Sequence, residues 1–169
     1  MFKNNKCLNL WYTFWIFNIF SRIKCLVISD SDYMKNSVLV IDDDSTIRFL
    51  LKTVLKEYTV IAMEDGYEAL TWLNSGNVPD LILLDIEMPN INGRVLIRRL
   101  KSSYKHRNVP IIIMSGTDSK LIKTSFIKLG ASDFIIKPFT DVDFLERIKS
   151  AMIIGGWKFV LFFHFQVPI

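Results

Sequence analysis

Short, continuously apolar runs alternate with helical patterns through the middle of this 169-residue chain. Apolar residues fill every position of the runs at 38–41, 81–84, 110–114 and 134–136. A strand that is covered by helices needs apolar side chains on both faces, so each run predicts a buried strand of a parallel sheet. A weaker fifth run, Thr59 to Met63, predicts an edge strand.

Helical periodicity fills the intervals between these runs. The first helix is predicted from an apolar stripe that begins at Ile47, with Asp44 or Ser45 as its N-cap and an end at about Lys56. Later helices are predicted near residues 66–74, 93–102, 119–129 and 141–152. This alternation predicts an α/β fold with an open, doubly wound parallel sheet, whose ligand site lies beyond the carboxyl ends of the strands.

Composition and charge separate the middle of the chain from its ends. Half of the residues are apolar and 22% are charged, which suits one hydrophobic core. The net charge of +4 comes from the ends, because residues 36–152 carry 15 Lys or Arg and 15 Asp or Glu. A balanced domain lacks the basic surface that nucleic acids require, so no direct nucleic-acid binding is expected. Both cysteines, Cys7 and Cys25, lie near the N-terminus, so a reducing, intracellular compartment is expected.

The two ends of the chain are apolar and irregular. Residues 1–35 are expected to be an N-terminal extension and residues 153–169 a C-terminal tail, with the folded domain at 36–152. Met34 stands just before the first strand, so residues 1–33 are interpreted either as a non-native upstream extension of the reading frame or as a membrane anchor. Their apolar run of about 13 residues is short of the roughly 20 that span a bilayer, which disfavours membrane contact.

Polar side chains follow the predicted strands at their carboxyl ends. They are Asp42, Asp43, Asp44, Asp85, Ser115 and Lys137. Two carboxylates about 4 Å apart repel by about 4 kcal/mol at an intermediate dielectric, so such a cluster favours a bound cation, and oxygen ligands indicate Mg²⁺ or Mn²⁺. Acids, a lysine and a hydroxyl around a metal form a pocket for a phosphoryl group, and an aspartate can be the nucleophile. The alternative that an acid here is an ordinary helix cap is favoured for Asp44.

Four segments keep a specific order and spacing along the chain. They are VIDDDS at 40–45, LDIEMPNING at 84–93, MSG at 114–116 and KPF at 137–139. Together they resemble the receiver domains of two-component response regulators, over about residues 36–152. The resemblance implies a flavodoxin-like sheet with strand order 2-1-3-4-5, in a single-domain regulator similar to those of chemotaxis.

The resemblance also implies a role for each site residue. Asp85 would accept a phosphoryl group, and Lys137 would bridge an acid and a phosphoryl oxygen. The ligands of a Mg²⁺ or Mn²⁺ ion would be Asp42, Asp43, Asp85 and the backbone carbonyl of Glu87. The peptide bond between Lys137 and Pro138 would be cis. The phosphoryl donor would be a phosphohistidine on a sensor histidine kinase or a phosphotransfer protein.

Signalling is expected to follow from a change of shape. The resemblance implies that Ser115 turns inward to bond the phosphoryl oxygen and that Phe134 is the aromatic switch residue. Their movement would reshape the surface of the fourth helix, fifth strand and fifth helix, where a downstream protein would bind. Glu87 could influence the water that hydrolyses the acyl phosphate. The chain would therefore be a cytoplasmic phosphoacceptor that promotes its own phosphorylation and dephosphorylation, rather than a conventional enzyme.

Other functions match parts of this pattern. A phosphohydrolase of the haloacid-dehalogenase type needs Asp-x-Asp-x-Thr, and residues 85–89 lack both later positions. A pseudo-receiver that acts only as an interaction module would not need the complete set of acids, hydroxyl and lysine. The chain could also be part of a longer regulator whose output domain follows Met152. Neither His106 nor His164 has a partner at ligand spacing, so neither is expected to be functional.

Overall fold

The computed structural model describes residues 35–89 and 91–162, with side chains described as far as residue 153. The predictions made for residues 1–33, for Cys7 and Cys25, and for His164 lie outside this part of the chain. Among the residues described, no helix combines the length and the apolar character that crossing a membrane requires.

Five strands form one parallel sheet. They are β1 (Ser37–Ile41), β2 (Thr59–Met63), β3 (Leu81–Asp85), β4 (Ile111–Ser115) and β5 (Asp133–Ile136). Their order across the sheet is β2-β1-β3-β4-β5, which confirms the predicted fold and strand order. The weak run is the edge strand β2, and its side chains are mostly only half-buried because one side of the strand has no neighbour.

Five helices connect the strands and follow β5. They are α1 (Ser45–Val54), α2 (Gly66–Asn74), α3 (Gly93–Ser102), α4 (Lys120–Lys128) and α5 (Asp141–Phe162). The N-cap of α1 is Asp44, whose carboxylate accepts the Thr46 N–H at 2.7 Å. This helix ends before the predicted Lys56, because Leu55 leaves helical geometry while its N–H still bonds to the carbonyl of Leu51.

The last helix is longer than the sequence pattern indicated. Helix α5 continues past Met152 to Phe162, so the predicted end of this helix at residue 152 was wrong. Gly155 and Gly156 each cost a helix about 1 kcal/mol relative to alanine, which weakens it without ending it. The predicted domain end at Met152 falls inside this helix, and the domain boundaries remain a prediction.

Alternate side chains of each central strand pack on opposite faces of the sheet. On one face, β1 contributes Leu39 and Ile41 to a core shared with α2, α3 and α4. On the other face, Val38 and Val40 pack with α1 and α5. Because both faces are covered, every residue of β3 and β4 is buried, which explains their continuously apolar sequences.

Parallel pairing brings the carboxyl ends of the strands to one edge of the sheet. The pairing continues one residue beyond the strands: Asp42 N–H donates to the carbonyl of Met63 at 3.2 Å, and Lys137 N–H donates to that of Ser115 at 2.7 Å. The backbone of each strand end is therefore fixed by its neighbour. The polar residues that follow β1, β3, β4 and β5 are presented at this edge.

Candidate functional site

One lysine joins the carboxylates that follow β1 and end β3. The Nζ of Lys137 donates to Oδ2 of Asp42 at 2.6 Å and to Oδ1 of Asp85 at 2.8 Å. Asp42 is completely buried and Asp85 is 5% exposed, so these two charges lie where water screens them poorly. The peptide bond between Lys137 and Pro138 is cis, as predicted.

Burial and charge act against each other in this cluster. Burial raises the pKa of Asp42 above its ordinary value, although the bond and the charge of Lys137 lower it in part. Burial alone would lower the pKa of Lys137, but hydrogen bonds and charges from both aspartates together raise it. Lys137 therefore stays protonated at neutral pH and supplies positive charge to the site.

The loop between β1 and α1 is held by its own backbone and side chains. The second oxygen of Asp42, Oδ1, accepts the N–H of Asp44 at 3.0 Å. Arg48, in the first part of α1, donates from Nη1 to the carbonyls of Asp42 at 2.7 Å and of Asp43 at 2.9 Å. The side chain of Asp43 is exposed, unlike that of the neighbouring Asp42. Hydrogen bonding to Thr46 lowers the pKa of Asp44, in agreement with its interpretation as a helix cap.

The loop after β3 holds the side chain of Asp85 by a hydrogen bond. Its carboxylate Oδ2 accepts the N–H of Glu87 at 3.0 Å, so both oxygens of Asp85 have a donor. Gly93 packs against the same loop, and a Cβ built on it would lie 2.6 Å from the backbone oxygen of Asp85. A side chain at residue 93 would therefore displace the segment that carries the acid.

Ser115 lies at the end of β4 with 1% exposure, and its hydroxyl is engaged with the loop that follows. Its Oγ accepts the N–H of Thr117 at 3.0 Å and donates to the carbonyl of Thr117 over a longer 3.4 Å. The Thr117 hydroxyl in turn lies 3.5 Å from a carboxylate oxygen of Glu87. The hydroxyl of Ser115 is thus held by backbone rather than by Asp85 or Lys137.

Phe134 on β5 is 3% exposed and packs in the core that includes Phe126. The ring of Phe134 already lies inside this core. The bond that the Ser115 hydroxyl donates to Thr117 is long, and hydrogen bonds of this length are weak.

The donors at this edge are hard oxygen atoms, which suit Mg²⁺ or Mn²⁺. Within residues 35–89 and 91–162, no three Asp, Glu, His or Cys side chains lie close enough to hold a metal by themselves. Mg²⁺ does not need such a cage, because it usually keeps several waters and binds through one or two carboxylates. Two adjacent acids after β1 and a third at the end of β3 therefore fit this ion.

His106 is buried rather than exposed in a polar loop. Its Nδ1 lies 3.0 Å from the hydroxyl of Ser103, and its Nε2 lies 3.0 Å from the carbonyl of Asn77. Both ring nitrogens are therefore satisfied by polar groups of two loops. This arrangement connects those loops, and the expectation that His106 carries no chemistry stays a prediction.

Sequence reasoning did not single out Arg48 or Thr117. A signal for Arg48 was available, since helix side chains tilt towards the N-terminus, and a basic residue one turn into α1 can reach the acidic loop. Thr117 gave no such signal, because its contact with Glu87 joins two loops whose relative position only the sheet determines.

Known proteins are similar to this chain in sequence and in fold. The family model of the response regulator receiver domain matches residues 38–149. The "Probable transcriptional regulator ycf27" of Porphyridium aerugineum is 36% identical over 120 residues, which cover 70% of this chain and 48% of that protein. The histidine kinase P4 of Formosa agariphila is 31% identical over 119 residues, which cover 70% of this chain and 9% of that protein.

Solved structures give the same result. The receiver domain of the Francisella response regulator 1452 superposes with a TM-score of 0.63 at 34% identity, covering 69% of this chain and 96% of that one. The first of the curated relatives above is about twice as long as its matched region, and the second is far longer. The similarity therefore concerns one domain of each relative.

Proposed function

Because the chain belongs to the response regulator receiver family, we propose that it accepts a phosphoryl group on Asp85 and signals through the resulting change of shape. One observation carries the proposal. The carboxylate of Asp85 is nearly buried, with Oδ1 2.8 Å from a lysine amine that also binds a second, fully buried acid. We take residues 36–152 as the receiver domain.

The proposed reaction forms a bond between a carboxylate oxygen of Asp85 and phosphorus, while the bond from phosphorus to the donor's histidine nitrogen breaks. The N–H of Lys137 that donates to Asp85 would instead donate to a phosphoryl oxygen, because negative charge shifts to that oxygen. A bound Mg²⁺ ion, held by Asp42, Asp43, Asp85 and the carbonyl of Glu87, would neutralise further phosphoryl charge. The domain would thereby promote its own phosphorylation and, with Glu87 near the acyl phosphate, its dephosphorylation.

Ser115 is the proposed link from chemistry to shape. Its single hydroxyl proton is donated over 3.4 Å to the carbonyl of Thr117, a distance at which hydrogen bonds are weak. A phosphoryl oxygen on Asp85 would be a stronger, charged acceptor. Donation to it would release the carbonyl of Thr117 and with it the loop that leads into α4.

The surface formed by α4, β5 and α5 is the proposed output site. It exposes apolar side chains that contribute to neither core: Leu121 is 83% exposed, Val142 is 70% exposed and Ile136 is 37% exposed. Single exposed apolar residues are common, but three on adjacent elements favour a protein contact. An alternative is output through a further domain, since the named relatives carry this region within longer proteins.

A sensor histidine kinase or a phosphotransfer protein is the proposed donor, which would place the domain in the cytoplasm. Direct nucleic-acid binding is not proposed, because the domain has balanced charge. The pseudo-receiver alternative lacks an observation in its favour, since the acids, the lysine and the hydroxyl are all present at one edge.

Acetyl phosphate, a small phosphoryl donor, tests the proposal without the partner kinase. The 169-residue chain would be incubated with acetyl phosphate and MgCl₂ and then examined by intact-mass analysis. We expect the addition of one phosphoryl group, which needs Mg²⁺ and is absent from Asp85→Asn. Asp118→Asn is the matched control, because it removes an exposed acid from the neighbouring loop.

Two results would count against phosphoryl acceptance on Asp85. A folded wild-type chain that gains no mass would favour the pseudo-receiver. Equal labelling of Asp85→Asn and wild type would assign the acceptor to another residue.

A further inference from the structure

Arg48 contacts the acidic loop from within α1. A single nitrogen, Nη1, donates to the carbonyl of Asp42 at 2.7 Å and to that of Asp43 at 2.9 Å. We propose that Arg48 is a positioning residue that fixes this loop in the shape that binds a divalent cation, an inference that rests on the proposed function. Its two bonds go to the backbone of Asp42 and Asp43, so it would act through these acids.

The place of Arg48 in the helix supports a role outside the helix. Its backbone N–H bonds to the carbonyl of Asp44 at 3.0 Å, so it lies one turn from the start of α1. A positive charge near the N-terminus of a helix opposes the helix dipole. The two charge-assisted bonds to loop carbonyls offset this unfavourable placement.

The contact acts mainly on Asp43. The carboxylate of Asp42 is already held by Lys137 and by the N–H of Asp44. The side chain of Asp43 is exposed, so its direction depends on how the peptide units on either side of it are oriented. Fixing two successive carbonyls on one guanidinium nitrogen sets both orientations, and it therefore aims the Asp43 carboxylate. Groups that orient a ligand in this way are worth roughly 10- to 100-fold in metal affinity.

Charge alone makes the opposite prediction, which allows a decisive test. A guanidinium beside the acidic cluster repels a cation, so its removal should tighten Mg²⁺ binding if Arg48 acts only through its charge. If Arg48 positions Asp43, its removal should weaken Mg²⁺ binding although a repulsive charge is lost. The direction of the change in dissociation constant therefore separates the two roles.

The experiment titrates the unphosphorylated 169-residue chain with MgCl₂ and follows ¹⁵N chemical shifts. For Arg48→Met we expect a dissociation constant roughly 10-fold above that of wild type. Arg48→Lys keeps a cationic donor on a shorter stem and should recover part of this loss. Lys52→Met removes an exposed charge one turn further along α1 and should bind as wild type does. Equal or tighter binding by Arg48→Met would overturn the inference.

A second readout separates this inference from the proposed function. Labelling of Arg48→Met by acetyl phosphate should approach the wild-type rate at saturating Mg²⁺, because Asp85 and Lys137 keep their contacts. A defect that persists at saturating Mg²⁺ would also overturn the inference. A wild-type chain that is not labelled would instead refute the proposed function. If Arg48→Met does not fold, Arg48→Ala also removes both the charge and the donor and makes the same comparison.

Discussion

Replacing Lys137 by methionine tests the electrostatic description of the site. The change keeps an apolar stem and removes the amine that joins two carboxylates. Bonds of 2.6 and 2.8 Å to one nitrogen keep those carboxylate oxygens within about 5.4 Å of each other. Without the amine, the negative charges of Asp42 and Asp85 would lie close together in a poorly screened site, and the positive charge that pairs with both would be missing.

The size of the effect follows from this separation. In wild type the attraction of both carboxylates to Lys137 outweighs their mutual repulsion, which is about 3 kcal/mol at about 5.4 Å and an effective dielectric of about 20; the variant keeps this repulsion without the attraction. Protonation limits the loss, because protonating a carboxylate at pH 7 costs about 4 kcal/mol at the ordinary pKa of 3.8 and less at the raised pKa of Asp42. We therefore expect Lys137→Met to lower the free energy of unfolding by about 3 kcal/mol at neutral pH, within the range known for broken buried ion pairs.

The contributions of Lys137 and of the carboxylates to the free energy of unfolding depend on pH in different ways. The pKa of Lys137 is raised, so its stabilising contribution is fully present below the ordinary value of 10.5 and is lost as the pH rises through the folded value. Because burial raises the pKa of Asp42, this carboxylate is protonated as the pH falls, and both its attraction to Lys137 and its repulsion of Asp85 are then lost. The difference between variant and wild type should therefore shrink as the pH falls from 7 towards the ordinary carboxylate pKa.

Urea unfolding monitored by circular dichroism measures this difference at several pH values. Added Mg²⁺ should stabilise the variant more than wild type, because the ion replaces the missing positive charge. Lys149→Met, which removes an exposed lysine from α5, should change stability by less than about 0.5 kcal/mol. A loss below about 1 kcal/mol for Lys137→Met, the size of an exposed ion pair, would refute the reasoning, as would a loss independent of pH.

Three further substitutions address other parts of the site. Gly93→Ala should lower the free energy of unfolding by about 1–3 kcal/mol, because its Cβ would lie 2.6 Å from the backbone oxygen of Asp85. Gly116→Ala, whose Cβ meets no atom within 4 Å, is its control, and equal urea midpoints would contradict the argument. His106→Leu should lower the free energy of unfolding by about 1–3 kcal/mol, because two hydrogen bonds are lost. Its labelling by acetyl phosphate should not change. Lost labelling in a folded variant would count against a purely structural role for His106. Ser115→Ala should still be labelled on Asp85, but the shift changes that phosphorylation causes in the NMR spectrum of α4 should be lost; unchanged shifts would exclude Ser115 from the switch.

The fold was predictable because its strands are buried on both faces. A strand such as β4, whose five residues are all buried, cannot carry the polar alternation of an exposed strand, so its sequence alone indicates its environment. The site was predictable for a related reason, since parallel strands must end at one edge. Asp42, Asp85 and Lys137 lie far apart in sequence, but the order of the strands places them next to one another.

Contacts between loops were not predictable in this way. The burial of His106 depends on the carbonyl of Asn77, which lies 29 residues away in another loop. The attachment of Ser115 to Thr117 depends on how one turn closes after β4. The length of α5 was not predictable either, because Gly155 and Gly156 carry a visible local cost, whereas the hydrogen bonds of a continuous helix are not visible in the sequence.

The sheet separates a tightly held part of the site from a loosely held one. Asp42, Asp85 and Lys137 are joined by bonds below 3 Å, and burial of like charge there can be maintained only because the strands beneath them are fully packed. Strand β4 lies between the strand that ends with Asp85 and the strand that leads to Lys137, with Met114 paired to Asp85 and Ser115 paired to Ile136. Ser115 therefore adjoins both, yet its hydroxyl proton is committed to a bond of 3.4 Å. Asp42 and Lys137 are already fixed by their short bonds. When Asp85 gains a phosphoryl charge, the structural response would therefore be concentrated in the loop that leads from Ser115 into α4.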